Sequence, residues 1–509
     1  MISTLEKTDW SFLTVTWIVL PFVCSFTGYL FAKFARYLSL VVGVSSLIYS
    51  AIAFTKTDSG NIQLLDSFGV TLLVDSLSDF FILTNALVTI AVIVYCWRQG
   101  KTSYFYAQMM VLHGSVNATF VCRDLISLYV ALEVISIAAF SLITYPRTNK
   151  SIWVGLRYLF ISNTAMLFYL VGAVLVYKAN YSFDYQGLGN APPEAIALIL
   201  LGLLVKGGVF ISGLWLPLTH SESESPVSAM LSGIVVKASI FPLLRCTFLI
   251  KEIAPVIQLF GVLAAIFGVV LAIIQQDTKR TLGFSSVSQL GFILAAPTMG
   301  GLYALAHGLA KSALFLTAGN LPSRNFQELQ SSKLSTGMWL ALLLPSLSIS
   351  GFPLLLGFPA KTLVLKNTFL WQEILLTLAA VGTVIVYAKF IFLPNQIWHK
   401  NRNLANKIEQ SQAKLKPHLL IALIILISGL LISNLGYFSI YNLSNITKSL
   451  LVIAIGYAGY FLVYVRGIKL TSNPAWESLD HLVGNMSLTL VVVFLFLITW
   501  VDRMPVNKF

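Results

Sequence analysis

Apolar runs of roughly the ~20 residues that a helix needs to cross a bilayer follow one another along this chain, separated by short polar turns. Run length and flanking turn residues divide them into sixteen ranges: 11–32, 36–54, 72–97, 104–121, 124–144, 152–178, 194–216, 226–250, 253–274, 283–297, 300–319, 334–359, 370–394, 417–437, 447–465 and 484–501. The pattern predicts an all-α polytopic membrane protein of about 14–16 transmembrane helices. The longest polar break, "NQIWHKNRNLANKIEQSQAKLKPH" at 395–418, reads as a surface helix or a cytoplasmic linker. No soluble domain of any size fits elsewhere.

Composition agrees. Of the 509 residues, 57% are hydrophobic and 10% charged, against about 25% charged in soluble domains. The net charge of +13 does not point to nucleic acid, because the basic residues sit in short loops between apolar runs and so report topology. Odd-numbered loops hold Lys33, Arg36, Arg98, Lys101, Arg147, Lys150, Lys279, Arg280, Arg324, Lys333, the cluster Lys400, Arg402, Lys407, Lys414 and Lys416, then Arg466 and Lys469. Even-numbered loops hold chiefly Lys56, Arg123, Lys178 and Lys251. The positive-inside rule then puts the odd loops in the cytoplasm and both termini, the N-terminus included, on the non-cytoplasmic side.

Several chemistries are disfavoured. Cys24, Cys96, Cys122 and Cys246 are scattered with no CxxC pair, against a disulfide framework, a zinc site or an iron–sulfur cluster. The run "GKTSYF" at Gly100 lacks the upstream glycine of a phosphate loop, and no GxGxxG opens a helix. The polar start without a small-residue cleavage site predicts that the first apolar run is retained. The chain is therefore expected to hold no cofactor or metal, and no redox or hydrolytic site of its own.

What stands out is charge inside the apolar runs. Glu133 sits in "LYVALEVISIAAFSLI", and Lys206 and Lys237 occupy comparable depths in the seventh and eighth ranges. His307 and Lys311, four apart in "YALAHGLAKSALFLTAG", share a helix face. Lys361 follows "SGFPLLLGFPAK", where glycine and proline interrupt the helix, and Pro217 and Pro226 bracket "LTHSESES". A charge at bilayer depth costs a few kcal/mol or more, and broken helices at that depth line protein or water-filled cavities. Plainer readings exist for some of these residues. Lys361, Lys311 and Arg245 can snorkel to an interface; His307 and His113 can be packing residues; Glu222 and Glu224 can be solvated loop acids. Glu133, Lys206 and Lys237 lie beyond snorkelling reach of the range ends.

Burial shifts a lysine toward releasing its proton and a nearby carboxylate shifts it back, so such groups together can load and unload protons. A histidine, with an unperturbed pKa of about 6.5, suits a relay between them. Haem is the competing use of membrane histidines, for which His113 and His307 make a thin ligand set.

At these residues the chain resembles the antiporter-like subunit family. That family includes the large proton-pumping membrane subunits of respiratory complex I and its photosynthetic relative, and the A and D subunits of Mrp-type sodium/proton antiporters. The matching blocks run in family order: "VTLLVDSLSDFF" (70–81), "DLISLYVALEVISIAAFSLI" (124–143), the stretch 203–245 from "LLVKGG" to "FPLLR", "DTKRTLGFSSVSQLGFI" (277–293), "HGLAKSALFLTAGN" (307–320) and "SGFPLLLGFPAKTLVL" (350–365).

The resemblance implies that Glu133 pairs with Lys206 as an electrostatic gate and that Lys237 is the central proton carrier. His307 and Lys311 would continue the path to Lys361 and the exit, with His220 in the loop at its mouth. It further implies two inverted five-helix repeats with broken helices. The chain then divides into N-terminal helices (1–121), a first repeat (122–250), a second repeat (251–394), and a linker with C-terminal helices (395–509). Implied partners are other membrane subunits of a hetero-oligomeric antiporter or complex-I-like assembly, protons with sodium as a second ion, and lipid. The implied location is a bacterial inner or thylakoid-type membrane. The run "THSESES" departs from the shorter acidic–Ala–His run of many members, though His220 and Pro226 still align. Two ranges lie beyond the usual fourteen. The lack of an evident lateral helix is in keeping with the D-type or complex-I chain-4-like branch, and Lys361 in place of a glutamate, with "WESLDHLVGNMSL" (476–488), tilts toward the Mrp D-type.

Overall fold

The computed structural model describes residues 2–56, 61–64, 69–395, 415–465 and 479–502. The basic cluster from Lys400 to Lys414, most of the polar break, and Arg466 and Lys469 lie outside these residues. In chain order the helices are α1 (Ile2–Leu30), α2 (Ala35–Thr55), α3 (Ser76–Cys96), α4 (Ser103–Val121), α5 (Leu125–Ile143), α6 (Asn149–Asn180), α7 (Pro193–Lys206), α8 (Trp215–Glu222), α9 (Ser225–Met230), α10 (Val236–Leu249), α11 (Ala254–Ile274), α12 (Thr278–Ala295) and α13 (Gly300–Ala318). They continue as α14 (Phe326–Gln330), α15 (Thr336–Ser350), α16 (Gly357–Lys366), α17 (Leu370–Ile391), α18 (Pro417–Leu435), α19 (Leu443–Tyr460) and α20 (Leu479–Asp502). Between α2 and α3 a short hairpin pairs β1 (Asn61–Gln63) with β2 (Thr71–Leu73), Ile62 opposite Leu72.

Every one of the sixteen ranges read from the sequence carries a helix. Eleven helices among the described residues are long and apolar enough to cross a membrane, or up to twelve with the bent pair α12–α13 counted as one span. That pair turns through 112° at Pro297, whose ring cannot continue a helix. The protein is an all-α, multi-pass integral membrane protein.

Three ranges are interrupted, two of them at glycines with positive φ. The helix through α7 stops at Gly207 and Gly208, the latter at φ +66°, passes through a tight turn at Phe210–Leu214, and restarts as α8. A side chain at Gly208 would be strained there, and its Cβ would sit 2.3 Å from Leu216 Cδ1. Between α9 and α10 the backbone widens into a π-helical segment, Leu231–Val235. The helix α15 ends at Gly351, φ +87°, before α16 resumes at Gly357.

The first two of these broken elements lie in the middle of the molecule, whereas the third reaches the surface at Leu354. Every residue of α13 is buried, and so is the whole apolar window through α9 and α10. The outer helices α1 and α19 present apolar side chains such as Phe12, Val23, Leu451 and Ile455 outward, as lipid contact requires.

Candidate ion-translocation site

Lys206 is the last residue of α7 and is 6% exposed. Its ammonium donates to Ser162 Oγ of α6 at 2.6 Å and to Ser136 Oγ of α5. The two hydroxyls are themselves 2.8 Å apart. Glu133 lies one turn before Ser136 on α5 and is half-buried. Its Oε1 has no hydrogen-bond partner among the described residues. The expected Glu133–Lys206 pair is therefore not a direct ion pair: serine hydroxyls hold the lysine, and the carboxylate acts on it through Coulomb attraction.

Lys237 is the second residue of the regular helix after the π segment and is fully buried. The widened turn exposes carbonyls that a regular helix would consume, and the ammonium donates to Ser232 O at 2.9 Å and Gly233 O at 2.7 Å. No hydrogen bond joins Lys206 to Lys237 among the described residues. The structure brings Lys237 instead to α13, where His307 and Lys311 both lie in its field.

On α13, Lys311 donates to Leu282 O at 2.7 Å and lies 5.6 Å from the centre of the Tyr387 ring. Neither ring nitrogen of His307 has a partner among the described residues. His307 lines a small cavity with Gln289, Tyr303, Ser348 and Gly357. That cavity opens onto the break between α15 and α16, where Lys361 donates to Ile349 O at 2.7 Å. Ser346, Ser348 and Ser350 of α15 are buried, with hydroxyls unpartnered among the described residues, and Ser348 lines the cavity. Tyr303 Oη donates to Gln289 Oε1 at 2.6 Å, and Gln289 Nε2 to Thr383 Oγ1 at 3.2 Å.

His220, at the end of α8, is fully buried, stacks on Phe315 at 4.6 Å, and keeps both ring nitrogens unpartnered among the described residues. The field of Lys311 and Lys279 reaches it. The residues that follow are clasped by cations from separate elements. Lys101 reaches both oxygens of Glu224 at 2.7 and 2.6 Å, and Lys150 meets Glu222 at 3.1 Å. Lys279 donates to Ser223 O at 2.8 Å, and Arg324 to Ser221 O. Glu222 and Glu224 are thus ion-paired, not free loop acids.

Lys206, Lys237, His307 and Lys361 are thus buried protonatable groups on or beside interrupted helices, and the stretch of chain that carries them can be compared with known proteins. A family model described as NADH:quinone oxidoreductase/Mrp antiporter, TM, matches residues 122–386, just over half of the chain. The chain belongs to this family. It is 31% identical over 332 residues to the N subunit of the NADH-quinone oxidoreductase of Desulforudis audaxviator, covering 58% of this chain and 66%, just under two thirds, of that relative. It is 25% identical over 447 residues to the D subunit of the Na(+)/H(+) antiporter of Alkalihalophilus pseudofirmus, covering 79% of this chain and 90% of the other. The fold is similar to that in the membrane-bound sulfane sulfur reductase, an archaeal respiratory membrane complex. There the TM-score is 0.73 at 19% identity, over 88% of this chain and 99% of that one.

Within this NADH:quinone oxidoreductase/Mrp antiporter family member, some site groups escaped the sequence reading. Lys279, read as a loop charge, is 6% exposed in the first turn of α12. Lys389, 4% exposed near the end of α17, donates to Ala272 O at 3.1 Å and Gln275 O at 2.7 Å, at the C-terminal end of α11. Both stand beside range ends, where a lysine ordinarily reaches water. Arg245 does not snorkel: it is bound to both oxygens of Asp75 and to Ser78 Oγ at 3.0 Å. His113 is the packing residue expected, tied to Ser46 at 2.7 Å and Thr89 at 2.9 Å.

Proposed function

We propose that this chain is the proton-translocating membrane subunit of a multisubunit monovalent cation/proton antiporter. Protons move along Glu133, Lys206, Lys237, His307, Lys311 and Lys361. The observation that carries this reading is the meeting of Lys237 with the His307–Lys311 face of α13, all fully or nearly fully buried. Charges so placed cost stability, and a scaffold subunit has no need of them. In this reading Glu133 governs whether Lys206 is held charged, Lys237 passes its proton toward α13, and Lys361 leads to the exit through the serine-lined break. His220 sits at the mouth. The two halves, 122–250 and 251–394, act as inverted repeats, supported by broken helices at Lys206 and near Lys361.

A second reading is a proton-pumping subunit of a complex-I-like oxidoreductase, favoured by the likeness to the N subunit of a NADH-quinone oxidoreductase. Redox partners would then drive the same row. The family likeness supports a bacterial inner or thylakoid-type membrane, and the loop charges support an N-terminus on the non-cytoplasmic side. Gentle-detergent purification with mass spectrometry of the accompanying chains separates the readings. Small hydrophobic subunits without flavin or iron–sulfur proteins support the antiporter, and co-purifying iron–sulfur subunits overturn it in favour of the second.

A further inference from the structure

Lys279, buried in the first turn of α12, is a lysine that the row above leaves unused. Contacts between α8 and α12 tie it to His220. At one end the two helices pack so closely that a Cβ built on Gly283 would lie 2.6 Å from Pro217 Cα. At the other, just past α8, Ser223 O accepts from the Lys279 ammonium at 2.8 Å. His220 stands midway between Pro217 and Ser223, and its carbonyl accepts from Ser228 Oγ at 2.8 Å.

The other side of the imidazole belongs to α13. The ring stacks on Phe315, which stands four residues after Lys311 and therefore on the same helix face. Lys311 donates to Leu282 O, and Leu282 is three residues, ~4.5 Å of helix axis, beyond Lys279. His220 is thus held between two lysines that are both anchored at the start of α12, and both act on it electrostatically. Its two ring nitrogens are buried without partners among the described residues. Around Lys279, in its own field, are Glu222, Glu224, Asp277 and Arg324. The side chains of Glu224, Asp277 and Arg324 are 29%, 28% and 43% exposed, so this charged group meets water. A clamp on Ser223 O needs only a donor, which arginine supplies as well. What lysine adds is a proton that it can release when buried.

We propose that Lys279 and His220 form a proton inlet that joins the row at Lys311, on the side that the loop charges assign to the cytoplasm. The proposal rests on Lys311 being a member of the proton row. The Lys279 ammonium, let go by Ser223 O, gives one proton to a ring nitrogen of His220, leaving a neutral amine and an imidazolium. The imidazolium gives the proton on its other nitrogen to the neutral Lys311 amine, which becomes an ammonium, and the ring is neutral again. Lys279 takes its next proton from water among Glu222, Glu224 and Asp277. Like charges repel, so His220 loads only after Lys311 has passed its own proton on, and the inlet admits one proton at a time.

The test uses the whole assembly in sealed inverted membrane vesicles, with a pH-sensitive dye reporting driven proton movement and a native gel reporting assembly. Lys279→Arg keeps a charged donor for Ser223 O and removes the proton that can be released. It should lower driven flux by about 10-fold or more with assembly and melting at the wild-type level, whereas a lysine that only clamps the loop would be replaced by arginine without loss of flux. Wild-type flux in Lys279→Arg beside an inactive Lys311→Ala overturns the inlet and leaves the row standing. Wild-type flux in Lys311→Ala is the failure of the row itself and takes the inlet with it. If Lys279→Arg does not assemble, His220→Phe decides. It keeps a ring on Phe315 but carries no proton, so flux should fall in the same way, and wild-type flux there overturns the inlet.

Discussion

Lys237 faces the backbone of Gly308: a Cβ built at position 308 would lie 3.5 Å from the lysine Nζ, 2.9 Å from Gly233 O and 2.5 Å from Thr84 Cγ2. Glycine at this point lets α13 approach the π segment closely enough for His307 and Lys311 to share the field of the central lysine. Gly308→Ala must push α3, the π segment and α13 apart. Overpacking of this kind costs ~1–3 kcal/mol. The detergent-solubilised assembly should melt earlier and move protons more slowly. Unchanged melting would mean the three elements are not held as tightly as their geometry indicates.

The serine pair around Lys206 gives a second prediction. Ser162→Ala removes an acceptor at 2.6 Å from a buried ammonium, leaving a charged donor short of a partner at ~1–3 kcal/mol. Lys206 should then shift toward Glu133 or lose its charge, and proton flux should fall while the assembly persists. Ser162→Thr, which keeps the hydroxyl, should retain most of the flux. Equal flux in both variants would remove Ser162 from the path.

The clasp between α3–α4 and the loop before α9 is open to a charge swap. Lys101→Glu alone sets two acids against each other and should destabilise the assembly. Adding Glu224→Lys should recover about 1 kcal/mol of that loss, a modest figure because the glutamate is 29% exposed. A double variant no better than the single one would show that the pair does not hold the loop.

Asp75 predicts an acid-side effect. Burial pushes its carboxyl up, but the Arg245 guanidinium and the Ser78 N–H outweigh burial and hold it below the usual carboxylate range. A group lowered on folding stabilises the fold above its ordinary value, ~4, and loses that contribution as pH falls through the lower folded value. The melting temperature of the assembly should therefore drop below about pH 4. In Asp75→Asn the melting temperature is lower at neutral pH and falls less on acidification. An identical acid slope in both proteins would assign the effect to other groups.

Much of this was legible in the sequence, for reasons that particular residues make plain. The helix ranges follow from run length because lipid leaves a chain few alternatives. Lys206, Lys237 and Lys311 are conspicuous because a charge in an apolar run has no cheap explanation. Lys279 and Lys389 are not, because they stand near range ends and only the packing reveals that protein, not water, surrounds them. The partners of these charges were also hidden. Glu224 and Lys101 are 123 residues apart, and no local pattern links them. The serines around Lys206 look like ordinary helix serines, whose hydroxyls usually bond their own backbone. The π segment that frees carbonyls for Lys237 has no composition signal in "LSGIV". The family resemblance supplied the row, and the structure supplied what holds each member in place.

The most direct test of proton passage through the buried row is Lys237→Ala in the intact assembly, measured as driven proton movement in sealed inverted vesicles with subunit content checked on the same membranes. Transport should fall to the background of membranes lacking the assembly, with every subunit still present, while Lys237→Arg, which keeps a charge that cannot be released, should be equally inactive. Wild-type transport in a fully assembled Lys237→Ala variant would contradict the row as the proton path and leave this chain a scaffold for ions that move elsewhere.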